Sequence, residues 1–228
     1  MPSPALPFAA LKIGLIHATL VAVQPMVTAF RERAPAVTLL HFLDEGLLSL
    51  VNREGLTPHA IGELERLVER AVASDVAGIL LTCSAYSPVV PAIQARCPVP
   101  ILSADDAMLR AALALGSRLG VIATVEAAGP TTAALLKELA AETGQPLTLD
   151  VRVVPAAFAA LKAGDGPGHD RLVREQITAL LPLCDAVILA QISMARALTG
   201  APVFAKPVLT SPETSIAALL ARLPSPVA

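Results

Sequence analysis

Among the residues able to do acid–base or nucleophilic chemistry, Cys83 has the most telling surroundings. It lies in Leu80-Leu81-Thr82-Cys83-Ser84-Ala85-Tyr86-Ser87-Pro88, an apolar run giving way to small polar residues, which predicts a strand turning into a helix. At such a turn the amides of Ser84 and Ala85 point outward and can cradle a carboxylate. The same positive end favours thiolate over thiol, suiting Cys83 to proton transfer or nucleophilic attack. A cysteine behind an apolar strand also serves as a small packing hydrophobe, but Thr82, Ser84 and Ser87 around it favour chemistry. Cys97, in Arg96-Cys97-Pro98, falls in a connection. Cys184, before Asp185-Ala186-Val187, falls at the amino end of a strand; both are expected to be packing residues.

His17 ends the first apolar run and could orient or deprotonate a neighbour, or simply be hydrogen-bonded at the domain surface. His41 falls inside a predicted strand, and His59 and His169 begin helices, where capping or solvation accounts for them. In open parallel sheets ligands bind beyond the carboxyl ends of the strands. The polar strand ends are His17-Ala18-Thr19, Asp44-Glu45, Thr82-Cys83-Ser84-Ala85, Thr124-Val125-Glu126 and Gln191-Ile192-Ser193. Glu126 either enters a site or favours the amino end of its own helix. The chain has no Gly-x-Gly-x-x-Gly fingerprint, no Gly-Lys-Ser/Thr phosphate loop and no Gly-x-Ser-x-Gly elbow.

The elements that must position these residues alternate along the chain. Strands are expected at 11–17, 38–43, 77–82 and 100–103, with helices at 23–33, 58–74, 88–95 and 105–115. The cycle then restarts, with strands at 118–123, 147–154 and 186–190 and helices at 129–143, 155–163 and 170–181. Residues 203–209 are expected to be extended, and 211–223 to form a last helix capped by Ser211 with Glu213 in its first turn. Such alternation implies parallel sheets with right-handed crossovers. The fold class is α/β, and the spacing suggests two similar halves, each a parallel sheet flanked by helices; if the halves face each other, the polar strand ends line one cleft. Residues 1–104 plus 206–228 would form the first domain, carrying Cys83, and 105–205 the second, carrying Thr124 and Gln191. A single six- or seven-stranded doubly wound sheet is the alternative.

Hydrophobic residues are 54% of the 228 and charged residues 16%, with no tryptophan and 3% aromatics. The core must therefore be built from Ala, Leu, Val and Ile, which suits strands covered on both faces by helices. A net charge of −2 with scattered Arg and Lys argues against nucleic acid as a partner. No uninterrupted apolar run reaches the ~18 residues of a membrane span. The opening Met1–Ala10 lacks the positive charge of a secretory signal. Three cysteines without metal-type spacing fit reduced thiols in a cytoplasmic protein and no structural zinc.

Taken together, the motifs resemble the aspartate/glutamate racemase superfamily, which also includes hydantoin racemases, maleate isomerases and arylmalonate decarboxylases. The resemblance covers most of the chain. It rests on Ile13-Gly14-Leu15-Ile16-His17, Leu81-Thr82-Cys83-Ser84-Ala85, Leu119-Gly120-Val121-Ile122-Ala123-Thr124, Val187-Ile188-Leu189-Ala190-Gln191 and Pro207-Val208-Leu209-Thr210-Ser211-Pro212. It implies two pseudo-symmetric α/β domains with the active site in the cleft between them and, in the racemases, one cysteine from each domain working on opposite faces of a carbon α to a carboxylate. No metal or organic cofactor is implied, since amides and hydroxyls stabilise the enediolate.

Cys83 matches the first family cysteine, whereas Gln191 stands at the second and does not titrate near neutrality. His17 stands where amino-acid racemases often carry an acid, and Ser84-Ala85 replaces a common Asn-Thr. Three chemistries stay open. One is racemisation or isomerisation by Cys83 with His17 or Ser193. A second is decarboxylation followed by protonation from one thiol, and a third is covalent cis–trans isomerisation by Cys83. A non-catalytic carboxylate-binding protein is the alternative outside catalysis. The implied ligand is a small carboxylate, contacted by Thr19, Thr82, Ser84, Ala85, Thr124, Val125, Glu126, Gln191 and Ile192, with segments 44–57 and 164–170 shaping specificity. The Ala/Leu-rich helices would permit a homodimer.

Overall fold

The computed structural model describes residues 11–126 and 128–223; the Met1–Ala10 segment weighed above as a signal lies outside them. Eight strands are described: β1 (Lys12–His17), β2 (Thr38–Leu43), β3 (Gly78–Leu81), β4 (Ile101–Ser103), β5 (Arg118–Ala123), β6 (Thr148–Val153), β7 (Ala186–Leu189) and β8 (Val208–Thr210). They form two four-stranded parallel sheets, ordered β2-β1-β3-β4 and β6-β5-β7-β8. A single doubly wound sheet is thereby excluded. The described helices are α1 (Val23–Arg33), α2 (Gly46–Glu54), α3 (Pro58–Val72), α4 (Val90–Gln94), α5 (Asp106–Leu115), α6 (Ala128–Glu142), α7 (Pro155–Lys162), α8 (Gly166–Leu180) and α9 (Ser211–Leu220).

The chain divides into two compact units, residues up to Ala104 with those from Ser215 on, and Asp105–Thr214. Residues 206–214, expected in the first half, belong to the second because β8 pairs with β7, Val187 opposite Val208 through Leu189 opposite Thr210. Within each unit the central strands are continuous apolar runs. β3 (Gly-Ile-Leu-Leu) and β7 (Ala-Val-Ile-Leu) are buried at every residue, as befits strands covered on both faces. The edge strands β2 and β6 share one partly exposed pattern with no fully buried residue.

The two sheets repeat one register. Ile13–Ile16 pairs with Gly78–Leu81, and Leu119–Ile122 with Ala186–Leu189. Gly14 and Gly120 occupy equivalent places, and both are packing necessities. A Cβ on Gly14 would lie 3.3 Å from the Ala71 Cβ of α3, and one on Gly120 3.1 Å from Leu180 Cδ1 of α8 and 3.2 Å from Cys184 Sγ. The absent side chain lets a helix lie close on each central strand. Cys184, 3% exposed with its thiol pushed up chiefly by burial, is the packing residue expected.

Among the departures from the expected helices, three have a clear local description. Segment 44–57 is largely α2, started by Asp44 Oδ1 accepting from the Gly46 amide at 2.8 Å and ended at Gly55, whose φ is +72°. Segment 164–170 opens α8, which begins at Gly166 because Asp165 accepts from the Gly168 amide at 2.8 Å. Ser211 does not cap α9: it is the first helical residue, and its buried hydroxyl has no hydrogen-bond partner.

Candidate active site

In the first unit, Cys83 lies two residues beyond β3 and is the extended residue (φ −130°, ψ 108°) that opens a 3-10 segment, Ser84–Val89. Cys83, Ser84 and Ala85 form a half-buried stretch between buried Thr82 and buried Tyr86. One side of Cys83 packs on the apolar cluster of Ile16, Leu47, Leu81 and Tyr86. Tyr86 anchors the segment: its hydroxyl donates to the Leu47 carbonyl at 3.0 Å, and its amide to the Cys83 carbonyl at 3.2 Å. Burial, then the neighbouring Cys83 and the acidic groups of Asp44, Glu54 and Glu63, pushes the Tyr86 phenol up to about 12, so it stays a donor.

Behind Cys83 runs a chain of hydrogen bonds whose direction can be deduced. The Thr82 hydroxyl donates to the Ile16 carbonyl at 3.0 Å. Its oxygen must then accept from His17 Nδ1, 2.8 Å away, which fixes the proton of a neutral His17 on Nδ1. His17 Nε2 is left as acceptor for His41 Nδ1 at 3.0 Å, the two rings stacking with centroids 5.3 Å apart. His17 is fully buried, and burial followed by repulsion from His41 lowers its pKa to about 4. Burial lowers that of His41 too.

The acid–base role expected of His17 does not fit this geometry. Both of its nitrogens are engaged in the chain and the ring has no exposed surface. His41, assigned above to simple solvation, is the residue that sequence reasoning missed. It lies diagonally across the β1–β2 pair from His17, since His41 is opposite Leu15 and His17 opposite Leu43.

In the second unit, Gln191 repeats the position of Cys83. It follows β7 by two residues, is extended (φ −136°, ψ 138°) and opens the 3-10 segment Ile192–Leu198. Its Oε1 accepts from the Thr124 amide at 2.6 Å, the Thr124 hydroxyl at 2.9 Å and the Val125 amide at 3.2 Å. The structure therefore gathers Gln191, Thr124 and Val125 at one place. Ile192 and Ser193 are buried within the 3-10 segment, 6% exposed each. Glu126 is exposed beyond β5, and Thr19 half-buried beyond β1. Among the described residues, no cluster of three or more His, Cys, Asp or Glu is placed to hold a metal ion, and no helix is long and apolar enough to cross a membrane.

The family model for Asp/Glu/Hydantoin racemase matches residues 16–222. The chain belongs to this family. Membership supports a racemase- or isomerase-type function at the level of the family. No curated protein matches the chain in sequence. Solved structures of the same fold include the Picrophilus torridus aspartate racemase, with a TM-score of 0.70 and 13% identity over 94% of this chain and 96% of that one. Another is the allantoin racemase from Klebsiella pneumoniae, with a TM-score of 0.68 and 15% identity over 93% and 87%. The glutamate racemase from Thermus thermophilus in complex with beta-chloro-D-alanine has a TM-score of 0.61 and 20% identity over 94% and 82%. At these identities the solved structures show a shared fold, two parallel sheets flanked by helices.

Proposed function

We propose that this protein is a cofactor-independent racemase- or isomerase-type enzyme acting at the carbon α to the carboxylate of a small acid, with Cys83 as its acid–base group. The observation that carries the proposal is the setting of Cys83 in a family member: a half-buried thiol opening a 3-10 segment at the carboxyl end of a central strand. There, outward amides at Ser84 and Ala85 would hold a carboxylate, and their dipoles would favour the thiolate. The Cys83 thiolate removes the α-proton; return of a proton from the resulting thiol to the same face of the enediolate gives exchange with retention, whereas inversion requires a second donor on the opposite face. Amide and hydroxyl donors stabilise the oxyanion between the two steps.

Gln191 favours a second form of the same chemistry. The residue equivalent to Cys83 in the other unit cannot titrate near neutrality, and its carbonyl is already committed to Thr124 and Val125. One thiol suffices to protonate an enediolate left by decarboxylation, or to add to and leave from an alkene in cis–trans isomerisation. His17 and His41 serve as positioning residues through Thr82 rather than as the opposing base.

A panel of single-enantiomer amino acids, hydantoins and hydroxy acids, with arylmalonates and maleate, separates these outcomes when followed by proton NMR in deuterated water. Loss of the α-proton signal with inversion marks racemisation. A new deuterated monoacid marks decarboxylation, and fumarate marks isomerisation. Saturable binding with none of these changes across the panel would leave a carboxylate-binding protein and refute the enzymatic proposal.

A further inference from the structure

The hydrogen bonds at Gln191 are unusual in number. A neutral amide oxygen has two lone pairs, yet Oε1 faces three donors: the Thr124 and Val125 amides and the Thr124 hydroxyl. The three converge within 2.6–3.2 Å, and Thr124 itself is 1% exposed. Consecutive amides with an added hydroxyl suit a charged oxygen, which accepts more and shorter hydrogen bonds than a neutral one. Gln191 lies just beyond β7 and the donors just beyond β5, so pairing of those two strands brings them together.

We propose that Thr124 and Val125 form a cradle for one carboxylate oxygen and that Gln191 is its built-in occupant, so that a carboxylate enters only as the glutamine side chain leaves. The inference deepens the proposed function by adding an intramolecular competitor to carboxylate binding. Its test reads binding at two amides and needs no turnover, so it can succeed or fail whatever Cys83 does.

The probe is acetate, titrated into the intact protein while the Thr124 and Val125 amide resonances are followed by 15N NMR. Gln191→Ala is expected to give saturable shifts at both amides, with half-saturation at least tenfold lower than in the wild-type protein. Adding Thr124→Val to that variant should remove most of the gain. The near-isosteric Gln191→Glu keeps the cradle filled and so tests it without leaving the donors bare. Its new carboxyl, held by three donors, should titrate clearly below the ~4.3 of an ordinary glutamate. Acetate binding to Gln191→Ala no tighter than to wild type, or a Gln191→Glu carboxyl titrating at or above ~4.3, would overturn the proposal.

Discussion

Replacing His17 by asparagine should flatten the pH dependence of stability. In the folded chain His17 is neutral down to about pH 4, against 6.5 when unfolded. Because the folded pKa is the lower one, the unfolded chain binds the extra proton between these values. The neutral ring's contribution is therefore complete above pH 6.5 and is lost as pH falls toward 4. At pH 5 these two values correspond to about 2 kcal/mol lost relative to pH 7.5. Asparagine can place its amide N–H near Nδ1 and keep a bond to Thr82, but it does not titrate. It removes part of a buried side chain and leaves His41 Nδ1 without its acceptor, costing about 1–3 kcal/mol at pH 7.5. Urea unfolding of both proteins at pH 7.5, 6.5, 5.5 and 5.0 checks this. The wild type should lose about 2 kcal/mol more than His17→Asn across the range, because only the wild type carries the buried ring at position 17. Parallel slopes would refute the assignment of a neutral, buried His17.

Thr82→Val keeps the shape of the side chain but strands the buried Nδ1–H of His17; it should cost about 1–3 kcal/mol in denaturant unfolding. Asp165→Ala removes the cap of α8 and should cost about 1 kcal/mol, measured in the same way. In a thiol-labelling time course of the native protein, Cys83 should react while Cys184, buried against Gly120, stays unmodified until denaturant is added, as peptide mass mapping would show.

The sheets were legible in the sequence because their central strands are short apolar runs with no room for another assignment. The packing role of the matched glycines at 14 and 120, where helices press on those strands, emerged only from the structure. α2 was less visible: it starts from Asp44 and Glu45 without a serine or threonine cap, and only the spacing of Leu47, Leu50 and Val51 hints at it. In α8, Gly166, Pro167 and Gly168 disguise a first turn that Asp165 holds in place. At the candidate site, the types and positions of Cys83 and Gln191 could be read directly, but their partners could not. The His41–His17–Thr82 chain depends on the register of β2, β1 and β3. Likewise, the Gln191 cradle depends on strand pairing between residues 67 and 66 positions apart in the chain.

The most direct test of Cys83 as the acid–base group is α-deuterium incorporation in deuterated water, comparing the wild-type protein with Cys83→Ser on any carboxylate that the panel shows to exchange. Serine keeps the shape of the segment but is far less acidic than a thiol, so exchange should fall at least a hundredfold while Cys97→Ser and Cys184→Ser retain it. Exchange undiminished in Cys83→Ser would contradict the assignment and move the chemistry to another residue.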